Sequence, residues 1–133
     1  MTSALPTESV ENNPIRRQEE DIALVVAPIL DGKIDTWKAW IAELNGARSA
    51  DLKDMNQRMG LTRHAAWLAE TPMGAMVAVL QEGPGADTFM QKCGESSHEF
   101  DKSFAAKILE IHGMDVIQPP PGPMPELYLD SGS

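Results

Sequence analysis

Three histidines are the first residues to ask for chemistry. His64 opens an apolar stretch, Ala65-Ala66-Trp67-Leu68. An imidazole there suits a proton shuttle or a hydrogen bond to a ligand in an apolar pocket. The competing reading, which the lack of a partner carboxylate favours, is a strand-end histidine bonded to backbone near water. A single His without a paired carboxylate is not a catalytic constellation by itself. His98 lies beside Glu99 and Asp101, a set of donors a metal ion accepts, but this spacing is common and also serves helix capping. His112 sits where a helix should end, and a positive charge there complements the helix dipole. Arg63, in a strand otherwise apolar, needs a carboxylate such as Glu70 or Glu82, or an anionic ligand. Cys93 has Lys92 as its only basic neighbour and no evident His partner, which argues against a reactive thiol.

The indoles are Trp37, Trp40 and Trp67. Trp37 reads as core filling. Trp40 and Trp67, with Met76, Phe89 and Met90, are candidate linings for an apolar pocket between helix and sheet. The candidate site is therefore His64 as acid or base, with Trp40, Arg63, Trp67, Met76 and Phe89 as substrate contacts. Methionine fills core gaps more often than it touches ligands. No phosphate-binding glycine loop is present, since Gly83-Pro84-Gly85 lacks the following Lys-Ser/Thr. No G-x-S-x-G elbow, H-E-x-x-H pair or paired-cysteine zinc motif occurs. Neither a metal nor an organic cofactor is expected.

Composition bounds the partners. The chain has 133 residues, 20 acidic and 11 basic side chains, and a net charge of −9. Such a balance opposes a nucleic-acid or anionic-membrane surface, because both require basic patches. The single cysteine excludes an internal disulfide. The first twenty residues are polar, with no apolar signal core, and no apolar run approaches the ~20 residues that span a bilayer. A cytoplasmic protein is the expectation.

The elements that must position these residues follow from periodicity. Residues 1–20 are too polar to pack and read as a flexible arm. Asp21 to Leu30 is a continuous apolar strand. Ile34 to Leu44 is a helix, with Ile34, Trp37, Ile41 and Leu44 on one stripe. Ala50 to Met59 is a second helix, closed by Gly60. Leu61 to Thr71 and Gly74 to Glu82 form a hairpin about Thr71-Pro72-Met73-Gly74. A short helix covers Ala86 to Lys92, closed by Cys93-Gly94. A longer one starts from a Ser96-x-x-Glu99 capping box and ends at His112-Gly113. Its core face is Phe100, Phe104, Ile108 and Ile111. Residues 116–133 form a Pro-rich arm, and Glu126 to Asp130 is a candidate fourth strand.

This order predicts an α+β domain over residues 21–115. The plan is a ferredoxin-like split βαβ, with an antiparallel sheet and helices on one face. One helix layer covers one face of a sheet, so the other face should alternate apolar with polar. These strands do not alternate. Ile22, Leu24 and Val26 oppose Ala23, Val25 and Ala27, and Val77 and Val79 oppose Met76, Ala78 and Leu80. Something outside one chain must cover the second face, and a second copy packed sheet on sheet is the simplest cover.

Strand, Trp-bearing helix, the Met59-Gly60-Leu61-Thr62-Arg63-His64 approach, hairpin, and a helix ending His112-Gly113 together resemble the dimeric α+β barrel superfamily. Antibiotic-biosynthesis-type monooxygenases belong to it. LTRHAAWL and SSHEFDKSFAAKILEIHGMD look most like an uncharacterised bacterial branch of that superfamily. The resemblance implies a homodimer that binds a small apolar ligand, and a monooxygenase- or cyclase-like tailoring activity without a cofactor. The competing expectation is an accessory or sensor protein that binds another protein through its dimer surface or Pro-rich tail. Fold alone does not decide between them.

Overall fold

The computed structural model describes residues 21–116 and 125–132. It is an α+β fold with strands β1 (Ile22–Pro28), β2 (Arg63–Thr71) and β3 (Gly74–Glu82) and helices α1 (Ile34–Asn45), α2 (Ser49–Met59), α3 (Phe89–Glu95) and α4 (Glu99–His112). A single 3-10 turn, Ala86–Thr88, leads into α3.

The strands form one antiparallel sheet in the order β1-β3-β2. The β2–β3 hairpin turns through Pro72 and Met73. Thr71 Oγ1 accepts from Met73 N and donates to the Gly74 carbonyl. Gly74 has φ 122°, a value that favours glycine. The register assigns every side chain to a face. One face carries the rows Ala23–Gln81–His64, Val25–Val79–Ala66 and Ala27–Val77–Leu68. The other carries Ile22–Glu82–Arg63, Leu24–Leu80–Ala65, Val26–Ala78–Trp67 and Pro28–Met76–Ala69.

The first face meets the helices. Val25, Ala27 and Val77 are buried with Trp37, Trp40 and Leu44 of α1, Met55 and Met59 of α2, and Phe89 and Cys93 of α3. Helix α4 adds the expected stripe of Phe100, Phe104, Ile108 and Ile111. The second face is apolar yet open. Leu24, Val26 and Trp67 remain 42, 46 and 52% exposed.

Two helix ends differ from the sequence expectation. The N-cap of α4 is His98, whose Nδ1 accepts from the Phe100 amide, and not the Ser96 hydroxyl. Ser96 is committed elsewhere: its Oγ accepts from the His98 amide and donates to Asp101. Asp101 is fully buried and needs donors, which draws the hydroxyl inward. Helix α3 also runs on through Gly94 to Glu95. The candidate strand at 126–130 is irregular, with Leu127, Tyr128 and Leu129 exposed. A strand exists only with a hydrogen-bonded neighbour, and none of the three strands pairs with it. The expected N-terminal arm, and residues 117–124 of the Pro-rich arm, lie outside the described residues.

A glycine contact joins α2 to the end of the sheet. Gly60 caps α2 with φ 79°, and its carbonyl accepts from Gly85 N at 2.9 Å. A Cβ on Gly85 would run into the Met59 carbonyl oxygen, so only glycine fits there. No helix among the described residues is long and apolar enough to cross a membrane.

Candidate functional site

Helices α1 and α4 do not close completely on the sheet. Between them lies a cavity of about 340 Å³. Its floor is the inner sheet face, with Val25, Ala27, Ala66, Val77 and Val79, and its roof is Trp37, Trp40, Ile41, Leu44, Phe104 and Ile108. The volume falls at the lower end of the range of small-molecule sites. Among the described residues no Asp, Glu, Lys or Arg lines it.

Polar groups mark its two ends. His64 and Gln81 face each other across β2 and β3 at one end, and His112 lies at the other. From the His64–Gln81 row to the Ala27–Val77 row is four residues of strand, about 13 Å. His112 Nδ1 donates to the Pro28 carbonyl at 2.8 Å, tying the end of α4 to the end of β1. Burial lowers its pKa.

His64 sits in a defined chain. Gln81 Nε2 faces His64 Nε2 at 3.5 Å, so that ring nitrogen accepts. The ring hydrogen is then on Nδ1, which donates to Asn56 Oδ1 at 3.1 Å. The ring packs edge-on to Phe89 at 5.1 Å and lies 5.9 Å from Phe104. Desolvation in this apolar setting pushes the pKa of His64 down to about 4, so the imidazole is neutral at pH 7. The amide that donates to it has its own unmet need. Gln81 is only 2% exposed, and its Oε1 has no hydrogen-bond partner among the described residues.

The expected site residues separate into two groups. His64 and Trp40 line the cavity together, and Phe89 stands behind the His64 ring in the core. Arg63, Trp67 and Met76 lie on the opposite face of the sheet and do not line it. The reason is the two-residue period of a strand: a residue next to His64 in β2 points the other way. Arg63 instead reaches Glu82 Oε1 at 3.4 Å on the open rim. Gln81, Asn56, Asn45 and His112 were not singled out as site residues from the sequence. The signal for Gln81 was present: it is the one polar residue in the run Ala75 to Gln81, on the buried phase of the strand.

The His98–Glu99–Asp101 cluster is structural. Asp101 receives Arg58 Nη1 and Nη2 at 2.8 and 2.9 Å and Ser96 Oγ at 2.7 Å. The bidentate guanidinium holds the Asp101 carboxyl below its usual pKa and locks α2 to α4. No group of three His, Cys, Asp or Glu side chains that could hold a metal ion occurs among the described residues. Cys93 is buried beside this cluster, and desolvation pushes its thiol up to about 12. Such a thiol is inert at neutral pH.

In comparison with known proteins, the chain matches no family model, no curated protein and no solved structure.

Proposed function

We propose that this protein binds a small apolar molecule in the cavity between α1, α4 and the sheet. The observation that carries the reading is that cavity of about 340 Å³, shared by Trp40 and His64 and left unfilled by the described side chains. A purely structural domain fills such space, because interiors pack to crystal-like density. Binding is favoured over general-base catalysis by the state of His64. A base with a pKa of about 4 takes up a proton poorly at pH 7, whereas efficient general bases titrate near their working pH. A cofactor-independent monooxygenase- or cyclase-like step therefore stands behind ligand binding as a reading of this site. The test is thermal stabilisation and Trp fluorescence quenching by apolar aromatic probes. Wild-type protein should respond, and Ala66→Phe, which places a ring in the cavity, should not. Equal response of the two proteins places the probe elsewhere and refutes the assignment.

We further propose that the sheet is the half of a ferredoxin-like α+β barrel that pairs with a second copy. Exposed Leu24, Val26 and Trp67 support it, since monomeric proteins rarely leave a contiguous apolar sheet face in water. Strands of 7, 9 and 9 residues, about 23, 30 and 30 Å long, cover roughly 400 Å² in projection, below the ~800 Å² per partner of a standard interface. Leu127, Tyr128 and Leu129 are further exposed apolar side chains. This open face is also what an accessory-protein reading would use, with another protein in place of the second copy.

A further inference from the structure

We infer that the ligand of the cavity is an uncharged, mostly apolar molecule that carries a hydroxyl or N–H and donates it to Gln81. The inference rests on the cavity being a ligand site and adds the class of ligand. Two independent observations on the wall lead to it. The first is the missing charge. Among the described residues no Asp, Glu, Lys or Arg lines the cavity. The two titratable groups that do, His64 and His112, are both shifted toward the neutral form by burial. An ionic ligand entering this site would lose its hydration and find no counter-charge, which costs far more than apolar contact returns.

The second is the polarity of the Gln81–His64–Asn56 chain. The Gln81 amide gives one N–H to His64 Nε2, and His64 passes its own N–H to Asn56 Oδ1. The contact to His64 occupies one of the two N–H groups of the Gln81 amide. The group left unmet is an acceptor, Gln81 Oε1, buried and without a partner among the described residues. A buried unpaired carbonyl costs free energy that a ligand donor recovers. A ligand that only accepts, such as an ether or ketone, leaves Gln81 Oε1 unmet and recovers none of that cost. Gln81 thus distinguishes an alcohol, phenol or N–H heterocycle from its alkylated analogue.

Three probes of one ring system test this: 2-naphthol, 2-methoxynaphthalene and 2-naphthoate, titrated at pH 7.5 by Trp quenching, with naphthalene as the purely apolar reference. Wild-type protein should bind 2-naphthol about tenfold or more tighter than 2-methoxynaphthalene, the worth of one recovered buried hydrogen bond. 2-Naphthoate should bind more weakly than naphthalene. In Gln81→Leu the naphthol preference should fall to within about twofold. Equal binding of naphthol and its methyl ether, or tight binding of naphthoate, overturns the ligand class while leaving the cavity assignment intact. A naphthol preference that persists in Gln81→Leu overturns the role of Gln81. Failure of all four probes overturns the cavity assignment and this inference with it. The wild-type ratios decide the ligand class even if Gln81→Leu does not fold.

Discussion

Replacing His64 by glutamine should change how stability depends on pH. The folded protein holds His64 neutral down to about pH 4, against an ordinary value of 6.5. Between those values the unfolded chain carries a proton on this ring that the folded chain refuses. The unfolded state binds more protons, so stability rises with pH across the window. The contribution is fully present above pH 6.5 and is lost as pH falls toward 4. At about 1.4 kcal/mol per pH unit, the gap is worth about 3 kcal/mol. A glutamine side chain cannot titrate, and it still offers both a donor and an acceptor. Urea unfolding of the wild-type protein and His64→Gln at half-unit steps from pH 7.5 to 4 gives the difference in stability. His112 and every carboxylate titrate in both proteins, so they cancel to first order. The difference should move by about 3 kcal/mol in favour of the glutamine variant, steepest between pH 6 and 4.5. Whatever fixed offset the substitution brings at pH 7.5 does not enter. A difference that stays flat would show that His64 is solvated in the folded state. The apolar character assigned to that end of the cavity would then fail.

Other perturbations test the surrounding architecture. Arg58→Ala strips a fully buried carboxylate of its bidentate partner, and should cost about 3 kcal/mol by urea unfolding at pH 7. That cost should shrink as pH falls through the acid range, because Asp101 without its guanidinium protonates more readily. Gly85→Ala sets a methyl against the Met59 carbonyl and should cost on the order of 3 kcal/mol, whereas Gly32→Ala meets open space and costs only the strain of its positive φ. Trp67→Lys should turn a dimeric species into a 14.5 kDa monomer in sedimentation at micromolar concentration, with little change in helix content. A single 14.5 kDa species for the wild-type protein would refute the sheet-on-sheet assembly.

The strands and helices were largely legible in the sequence because their periods are local properties. Trp37, Trp40 and Leu44 recur at helical spacing and are buried, as are Phe100, Phe104, Ile108 and Ile111. The absence of alternation in β1 and β3 foretold an apolar second face, and the structure leaves Leu24 and Val26 of that face exposed. Helix starts were less secure. Ser96 and Glu99 satisfy the spacing of a capping box, yet a buried Asp101 two residues further competes for the same hydroxyl. Competition of that kind is decided by what α2 brings opposite, namely Arg58, which lies 43 residues away in the chain.

The site shows the same division more sharply. The sequence by itself determined that His64 and Trp40 had the residue types for an apolar pocket with a polar end. It also set Arg63 and Trp67 at the wrong phase to join them, because adjacent strand positions face opposite ways. The hairpin turn at Thr71 to Gly74 also set Gln81 across from His64, since a two-residue loop fixes the register. Only the tertiary structure decided that His64 is neutral, because desolvation depends on Phe89 and Phe104 arriving from helices beyond the hairpin. And only it left a cavity, because the gap between α1, α4 and the sheet is a property of how packed elements meet, which no single stretch of chain encodes.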